Sequence, residues 1–141
     1  MFLIKYVTSE DKKFWLTMDN HGSEPEFDRK VRDARGYVIF VDEKPARIMY
    51  YSLLWDKLPF LNLICLDRAC RGNGYGRLAM EFWEKEMAMA GFKMVLLSTQ
   101  ADETAQHFYR KLNYRDCGCL VLNDGPLAQP MEMFFCKQLK S

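Results

Sequence analysis

In the first half of the chain, short apolar runs alternate with turn-forming residues, a pattern that predicts an antiparallel meander of strands together with two helices. Ser23, with Glu26 three residues later, resembles a capping box at the start of the second helix. We expect turns at residues 42–45 and 56–59, where acidic residues precede a proline. The predicted elements are a strand over 2–7, helices over about 9–20 and from 23 to before 36, and strands over 37–41, 47–55 and 60–66.

The second half has the pattern of a strand–helix–strand crossover. A helix is predicted from about Tyr75 to Ala90, ended by Gly91, and the nearly continuous apolar run at 93–99 is typical of a strand buried on both faces. Such a crossover makes the strands before and after the helix parallel. Of the helix residues, we expect Arg77, Glu81, Glu84 and Lys85 on the polar face and Leu78, Ala79, Phe82, Met89 and Ala90 on the apolar one.

The last third predicts one more helix and two closing strands. Asp102 is expected to cap this helix, in which Ala105, Phe108, Tyr109 and Leu112 recur at helical spacing. The strands are predicted over residues 114–122 and 131–139. The fold class is therefore α/β, with a mixed central sheet in a single domain over residues 1–141.

Composition narrows the function classes. Hydrophobic residues make up 49% and charged residues 28% of the 141 residues, as expected for one domain with a core. The 20 basic and 19 acidic residues leave a formal charge of +1, so we expect neither a nucleic-acid partner nor a membrane surface. The first residues, with four apolar side chains before Lys5, are shorter than a secretory apolar region of about 7–15, and we expect a cytoplasmic protein.

The five cysteines predict no disulfide framework, because the number is odd and Cys65, Cys119 and Cys136 lie in apolar runs. Cys117 and Cys119 offer two thiols of a metal site, but no second pair completes four ligands. We therefore expect small buried cysteines in a reduced compartment, and no metal.

The segment from Arg71 to Gly76 predicts an anion site at the start of a helix. A helix N-terminus presents unpaired N–H groups and about half a positive charge. Glycines at 72, 74 and 76 permit left-handed conformations and remove the Cβ atoms that would keep phosphate oxygens away, while Arg71 and Arg77 add charge. The alternative is a glycine-rich connection without a ligand. A Walker loop requires Lys-Ser/Thr after its last glycine, and the dinucleotide fingerprint requires G-x-G-x-x-G; neither is present.

Two motifs carry a resemblance to the GNAT superfamily of acyl-CoA-dependent N-acetyltransferases. The first is the pattern Arg/Gln-x-x-Gly-x-Gly/Ala, present as Arg71, Gly74 and Gly76. The second departs from the family at two places, with Asp102 for the usual Asn and Asn113 for Gly. It reads Asp102, Ala105, Phe108, Tyr109, Lys111, Asn113 and Tyr114. The resemblance implies a mostly antiparallel sheet of about seven strands with one parallel pair splayed around the cofactor, and four helices.

The resemblance also implies the cofactor and its contacts. Acetyl-CoA would place its pyrophosphate on Arg71, Gly72, Asn73, Gly74, Tyr75 and Gly76, beside Arg77. Its pantetheine arm would lie between the strand ending at Leu66 and the parallel strand 94–98, paired with the backbone of Ile64 and Leu66. Asp102 stands where the family makes a cofactor contact. The Leu66 N–H is the candidate donor to the thioester oxygen, which becomes an oxyanion during attack.

Tyr109 stands where the family keeps a tyrosine that assists the thiolate leaving group, although helical spacing also predicts core packing for it. The base that deprotonates the amine is not identified. Asp67 and His107 have surface interpretations, and the resemblance places His21 near the helix–helix loop that often borders the acceptor pocket in the family. Tyr50, Tyr51, Trp55 and Phe60 are candidates for an acceptor cleft or for the core.

Two functions follow from the resemblance. One is acetyl transfer from acetyl-CoA to a primary amine of a small molecule or peptide. The other is a non-catalytic acyl-CoA-binding sensor or regulatory module. The acceptor pocket is expected in residues 20–30, 54–60 and 123–130, and the oligomeric state is expected to be monomer or homodimer.

Overall fold

Seven strands and four helices make up the computed structural model, which describes residues 1–65 and 74–140. The strands are β1 (Phe2–Tyr6), β2 (Gly36–Val41), β3 (Lys44–Leu54), β4 (Leu58–Cys65), β5 (Met94–Gln100), β6 (Arg115–Leu120) and β7 (Glu132–Gln138). The helices are α1 (Lys12–Met18), α2 (Glu24–Asp33), α3 (Tyr75–Met89) and α4 (Ala105–Lys111), with a short 3-10 helix, Ser9–Asp11, before α1.

These strands form one mixed sheet in the order β1-β2-β3-β4-β5-β7-β6. The β1–β2, β2–β3, β5–β7 and β6–β7 pairs are antiparallel, whereas β4 and β5 are parallel. The parallel register joins Phe60 to Leu96 and Leu61 to Leu97. The predicted fold class, a seven-stranded mixed sheet with one parallel pair and four helices, is confirmed.

The chain divides into two compact units. The first unit comprises Met1–Ser52 and Asn62–Trp83. Its core joins α1 and α2 to β2 and β3: Trp15 and Phe27 are each 1% exposed, and their rings meet edge to face at 5.8 Å. The remaining members of this buried cluster are Val7, Met18, Val38 and Ile48.

The second unit comprises Leu53–Leu61 and Glu84–Ser141. Its β5–β7–β6 ladder runs in continuous register from Met94↔Gln138 to Gln100↔Glu132. The side chains of Val95, Leu97 and Phe135 are almost completely buried. Successive side chains of a strand point to opposite faces, so Leu97 and Phe135, which pair across β5 and β7, share one face of this ladder.

A side-chain cap begins α2, and a capping box lies at the 3-10 turn that precedes α1. The Ser23 hydroxyl accepts a hydrogen bond of 3.3 Å from the Glu26 backbone N–H, which satisfies a donor at the start of α2. The complete capping box lies one helix earlier, where Thr8 and Asp11 exchange bonds around the 3-10 turn.

Asn113 has φ of 72°, so the asparagine that replaces the family's glycine does adopt the left-handed conformation.

The hairpin turns are tighter than predicted. The Val41↔Lys44 pair leaves only Asp42 and Glu43 in the first turn, both with positive φ. Trp55 and Asp56 adopt the same left-handed geometry in the second turn. The predicted turns at 42–45 and 56–59 were therefore too long, because two left-handed residues close a hairpin in the twist that the strands require.

The predicted apolar face of α3 was wrong in part, although Ala79 is buried and Phe82 half-buried as expected. Leu78 is 44% and Met89 76% exposed, whereas Trp83 is completely buried. The buried face is rotated by about one residue, or ~100°, from the predicted one. Glu84, expected on the polar face, is largely buried and ion-paired. The buried residues of α3 are Ala79, Met80, Trp83 and Met87.

The expectation of buried cysteines was also wrong for two of them. Cys117 and Cys119 are exposed, since every residue of the edge strand β6 is exposed, while Cys136 is half-buried. All three are free thiols. Burial, followed by the nearby Cys136, raises the pKa of Cys117 to about 11, so this thiol stays protonated at neutral pH. In the described part of the chain, no helix has the length and apolarity needed to span a membrane.

Candidate functional site

The described part of the glycine turn forms the N-terminus of α3. The Gly74 carbonyl accepts the first helical hydrogen bond, from the Leu78 N–H at 3.1 Å, which makes Gly74 the capping residue. Gly74 has φ of 80°, and a Cβ added there would have no heavy atom of the described residues within 4 Å. The first helical turn contains no acidic residue. The first N–H groups of the helix therefore meet no negative charge of their own turn and can bind an anion.

Tyr75 and Arg77 sit in this first turn. The Tyr75 ring stacks on Phe2 of β1 at 5.2 Å and fixes the start of the helix within the first unit. The Arg77 guanidinium is exposed and lies 3.2 Å from Glu81 one turn later, a surface pair that an anion can replace at little cost. Leu66, Arg71, Gly72 and Asn73, also predicted to bind the cofactor, lie outside the described residues, as does Asp67.

Ile64 lies near the end of β4. It is half-buried and packs against the core cluster of the first unit, so its backbone is held on a rigid strand. The parallel register with β5 covers residues earlier on β4, at Phe60 and Leu61, in the second unit. Ile64 is therefore the residue of the predicted pantetheine-pairing segment that the structure describes; Leu66 lies outside the described residues.

Tyr109 is half-buried on α4 in the second unit. Its ring centroid lies 6.0 Å from that of Tyr114 and 6.5 Å from that of Phe135, besides the neighbouring Phe108 at 5.2 Å. Both sequence interpretations of Tyr109 therefore have a basis, because the ring packs on the core while the residue is still reached by solvent. Its contact with Phe135 puts Tyr109 on the face of the β5–β7 ladder that also carries Leu97.

Tyr114 is the buried phenol of this region. It is 3% exposed and its hydroxyl donates a hydrogen bond of 2.9 Å to Glu84 Oε2, while Lys137 Nζ lies 2.8 Å from Glu84 Oε1. Burial, followed by the charge and hydrogen bond of Glu84, raises the pKa of Tyr114 far above its usual value. Tyr114 is therefore a structural phenol that keeps its proton.

Asp102 does not cap α4, contrary to the prediction. The helix begins at Ala105 with Thr104 as its capping residue, and Asp102 is exposed in the turn before it. The turn is closed instead by the Gln106 amide, which donates 2.9 Å hydrogen bonds to the carbonyls of Ala101 and Glu103. A cofactor contact by Asp102 stays a prediction.

A carboxylate that sequence reasoning missed lies at the start of β7. Glu132 Oε2 accepts a hydrogen bond of 2.6 Å from the Ser98 hydroxyl, and Glu132 Oε1 accepts one of 2.7 Å from the Gln129 amide. Ser98 directly follows Leu97, which pairs with Leu61 of β4 in the parallel register. The signal in the sequence was Ser98, a polar residue that directly follows the buried apolar residues Leu96 and Leu97 and precedes Thr99.

A second missed carboxylate lies in the first unit. Asp19 is 6% exposed at the C-terminal end of α1, and a Cβ at Gly22 would lie 2.5 Å from its Oδ2. Burial, followed by the charge of Asp19, raises the pKa of Tyr50 to about 12. Among the other candidates, His107 is exposed, as its surface interpretation expected. His21 is also exposed, and Trp55 is exposed rather than part of the core, whereas Tyr51 and Phe60 are half-buried.

No cluster of three or more metal-ligating side chains occurs among residues 1–65 and 74–140. In the first unit, the start of α3 can bind an anion such as the phosphate of a cofactor. In the second unit, Tyr109 and Glu132 are side chains of the kinds that can transfer a proton.

Solved structures similar to this chain are N-acetyltransferases. The ribosomal-protein-S18-alanine N-acetyltransferase of Escherichia coli has a TM-score of 0.80 at 16% identity, covering 100% of this chain and 96% of that one. The spermidine/spermine N-acetyltransferase SpeG of Vibrio cholerae has a TM-score of 0.79 at 11% identity, covering 97% and 92%. Arabidopsis thaliana Naa50, in complex with the bisubstrate analogue CoA-Ac-MVNAL, has a TM-score of 0.77 at 7% identity, covering 96% and 97%.

At these identities the likeness establishes the fold alone. A comparison with curated protein sequences finds no match. The sequence profile of the Acetyltransferase (GNAT) family, however, matches residues 4–114, which is most of the chain. The chain therefore belongs to the GNAT family of acetyltransferases.

Proposed function

We propose that this protein transfers an acetyl group from acetyl-CoA to a primary amine of a small molecule or peptide. The observation that carries the proposal is the start of α3, where Gly74 is left-handed and is followed by a turn without acidic residues. Such a helix start fits a pyrophosphate, which needs close approach to N–H groups and no competing negative charge.

The residues that would hold the cofactor lie in this helix start and at the end of β4. The N–H groups of Tyr75 and Gly76 would bind phosphate oxygens, with Arg77 and the predicted Arg71 to Asn73 around them. The backbone of Ile64 and Leu66 would pair with the pantetheine amides as a neighbouring strand would. Asp102, which has no hydrogen bond within the described part of the chain, is free to contact the cofactor from the α4 side.

The proposed reaction is a direct attack. The amine nitrogen forms a bond to the carbonyl carbon, the C–S bond breaks, and the sulfur leaves as a thiolate. The Leu66 N–H would stabilise the oxyanion, and the Tyr109 hydroxyl would donate its proton to the thiolate or stabilise it by a hydrogen bond.

Two kinds of acceptor are represented among the similar structures. The names of the E. coli and V. cholerae proteins give a ribosomal-protein alanine and the polyamines spermidine and spermine as their respective substrates. For this chain we keep both classes of primary amine, a peptide and a small molecule, because the likeness to these structures extends only to the fold.

The proposal is tested by incubating purified protein with acetyl-CoA and a panel of alkylamines, polyamines and peptides with a free N-terminus. The acetylated products should be followed by mass, since the exposed Cys117 and Cys119 would react with thiol reagents and obscure the released CoA. We expect at least one amine to be acetylated. CoA binding without product from any amine would instead identify a sensor module, and no binding would reject both functions.

A further inference from the structure

Two hydrogen bonds fix the orientation of the Glu132 carboxylate. Each of its oxygens accepts one hydrogen bond, from the Ser98 hydroxyl at 2.6 Å and from the Gln129 amide at 2.7 Å. Both partners belong to the second unit, and the side chain is half-buried. Each oxygen keeps a free lone pair, so the carboxylate is fixed in position and still able to accept a proton.

Its location follows from the strand register. Ser98 pairs with Phe134 and Gln100 with Glu132, so Ser98 and Glu132 are diagonal neighbours on one face of the β5–β7 ladder. Leu97, the residue before Ser98, pairs with Leu61 of β4 in the parallel register. Glu132 thus lies close to the parallel pair.

Glu132 and Tyr109 lie on opposite faces of this ladder. Tyr109 contacts Phe135, whose side chain points away from the face of Glu132 and Phe134. The Phe60 and Phe134 rings, 5.7 Å apart, form an apolar floor on the Glu132 face. A thioester beside the parallel pair would therefore have a carboxylate on one side and a phenol on the other.

The other acidic side chains of the second unit are less suited to accept a proton. Glu84 is bonded to Tyr114 and Lys137, and Asp116 is paired with Arg110 at 2.9 Å. Glu103 accepts a bond from the Gln100 backbone N–H in an exposed turn. Of these four carboxylates, Glu132 alone combines partial burial, two neutral donors and a place beside the residues that pair in the parallel register.

We propose that Glu132 is the general base for the acceptor amine, a role that rests on the proposed acetyl transfer. The carboxylate takes one proton from the ammonium group, directly or through the Ser98 hydroxyl, so an N–H bond breaks and an O–H bond forms. The nitrogen keeps the electron pair with which it attacks the acetyl carbon. Ser98 and Gln129 are positioning residues that hold the carboxylate toward the acceptor.

The test compares Glu132→Gln with the matched control Glu103→Gln. The acceptors are the best amine of the panel and its analogue fluorinated beside the nitrogen, which is largely neutral at the assay pH. We expect Glu132→Gln to lower kcat/KM for the basic amine about 100-fold, the low end of general base catalysis, and to lower it far less for the fluorinated amine. Glu103→Gln should leave both rates within about twofold.

A binding measurement separates a base from a structural residue. In a conjugate of CoA, acetyl group and amine, the nitrogen is a neutral amide, so binding of the conjugate requires no base to remove a proton. We expect Glu132→Gln to bind this conjugate, and CoA, as tightly as the unchanged protein does. Equal losses for both amines together with weaker conjugate binding would overturn the proposal, as would an unchanged rate with the basic amine. If the unchanged protein acetylates no amine, the proposed function fails and the base assignment fails with it.

Discussion

The Tyr114 hydroxyl donates a 2.9 Å hydrogen bond to Glu84, joining the end of α4 to α3 within the second unit. Lys137 of β7 lies against the other oxygen of the same carboxylate, so Glu84 links a helix, a strand and a buried phenol. The side chains of Glu84 and Lys137 are 14% and 24% exposed, so solvent screens this pair less than it screens the surface pairs.

Replacing Glu84 with Ala should therefore destabilise the protein. The substitution leaves a largely buried ammonium and a buried hydroxyl without their acceptor, and we expect the free energy of unfolding to fall by about 3 kcal/mol. Glu81→Ala, on the same helix but in the exposed pair with Arg77, should change it by less than about 0.5 kcal/mol. Urea unfolding of the two variants measures the difference. Equal effects would show that the buried network does not contribute.

Tyr109→Phe should lower turnover while leaving cofactor binding unchanged. The substitution removes only the hydroxyl, so the ring contacts with Tyr114 and Phe135 are kept. Loss of the proton donor to the thiolate should reduce kcat about 100-fold. Tyr6→Phe, at an exposed position of β1, serves as the control and should keep full turnover. Full turnover in Tyr109→Phe would leave this tyrosine with a packing role only.

Gly74 and Gly91 provide a matched pair for the anion site. They lie at opposite ends of α3, with φ of 80° and 95°, and an added Cβ at either position meets no heavy atom of the described residues within 4 Å. Gly→Ala should destabilise both variants by about 1–2 kcal/mol through the left-handed backbone. Only Gly74→Ala should weaken CoA binding, by about tenfold or more, because its Cβ occupies the approach to the helix N-terminus. Equal CoA affinity in the two variants would remove the phosphate from this helix.

Tyr50 should make stability depend on alkaline pH. Burial, followed by the charge of Asp19, raises the folded-state pKa to about 12, whereas an unfolded tyrosine titrates near 10. The folded protein therefore holds this proton more tightly, and the resulting stability is complete below pH about 10 and is lost as the pH rises toward 12. In Tyr50→Phe, the decline in the free energy of unfolding above pH about 10 should be shallower. Identical declines in both proteins would contradict the assigned cause.

Periodicity predicted the order and type of the elements because they are long and their apolar residues are regularly spaced. Periodicity could not predict the hairpin turns. Asp42–Glu43 and Trp55–Asp56 adopt positive φ, although neither pair contains the glycine or asparagine that usually indicates a left-handed turn. The nearby Pro45 and Pro59 suggested longer turns, yet both lie within strands. Pairing of the flanking strands therefore imposed positive φ on turn residues that include no glycine or asparagine.

The face of α3 was misjudged for a related reason. Leu78 and Met89 fit a helical stripe as well as Met80 and Trp83 do, and an apolar helix with two possible stripes is oriented by what packs on it. Glu84 was assigned to solvent because its partners, Tyr114 and Lys137, are distant in sequence.

The candidate site, too, could be predicted from the sequence only in part. The helix start at Gly74 could be predicted because glycine spacing is a local signal with a physical meaning. Glu132 could not, because its relation to Ser98, 34 residues away, exists only once β5 and β7 pair. Asp102 was predicted to cap α4, but the helix begins two residues after the position this predicts, and the Gln106 amide instead closes the preceding turn by donating to the carbonyls of Ala101 and Glu103.

A calorimetric titration of the folded protein with CoA and with acetyl-CoA tests whether the start of α3 belongs to a cofactor site. We predict saturable binding of both ligands at one site per chain. Absence of any binding heat over a range of temperatures, with the protein shown to be folded, would contradict it and would remove the cofactor and the acetyl transfer together.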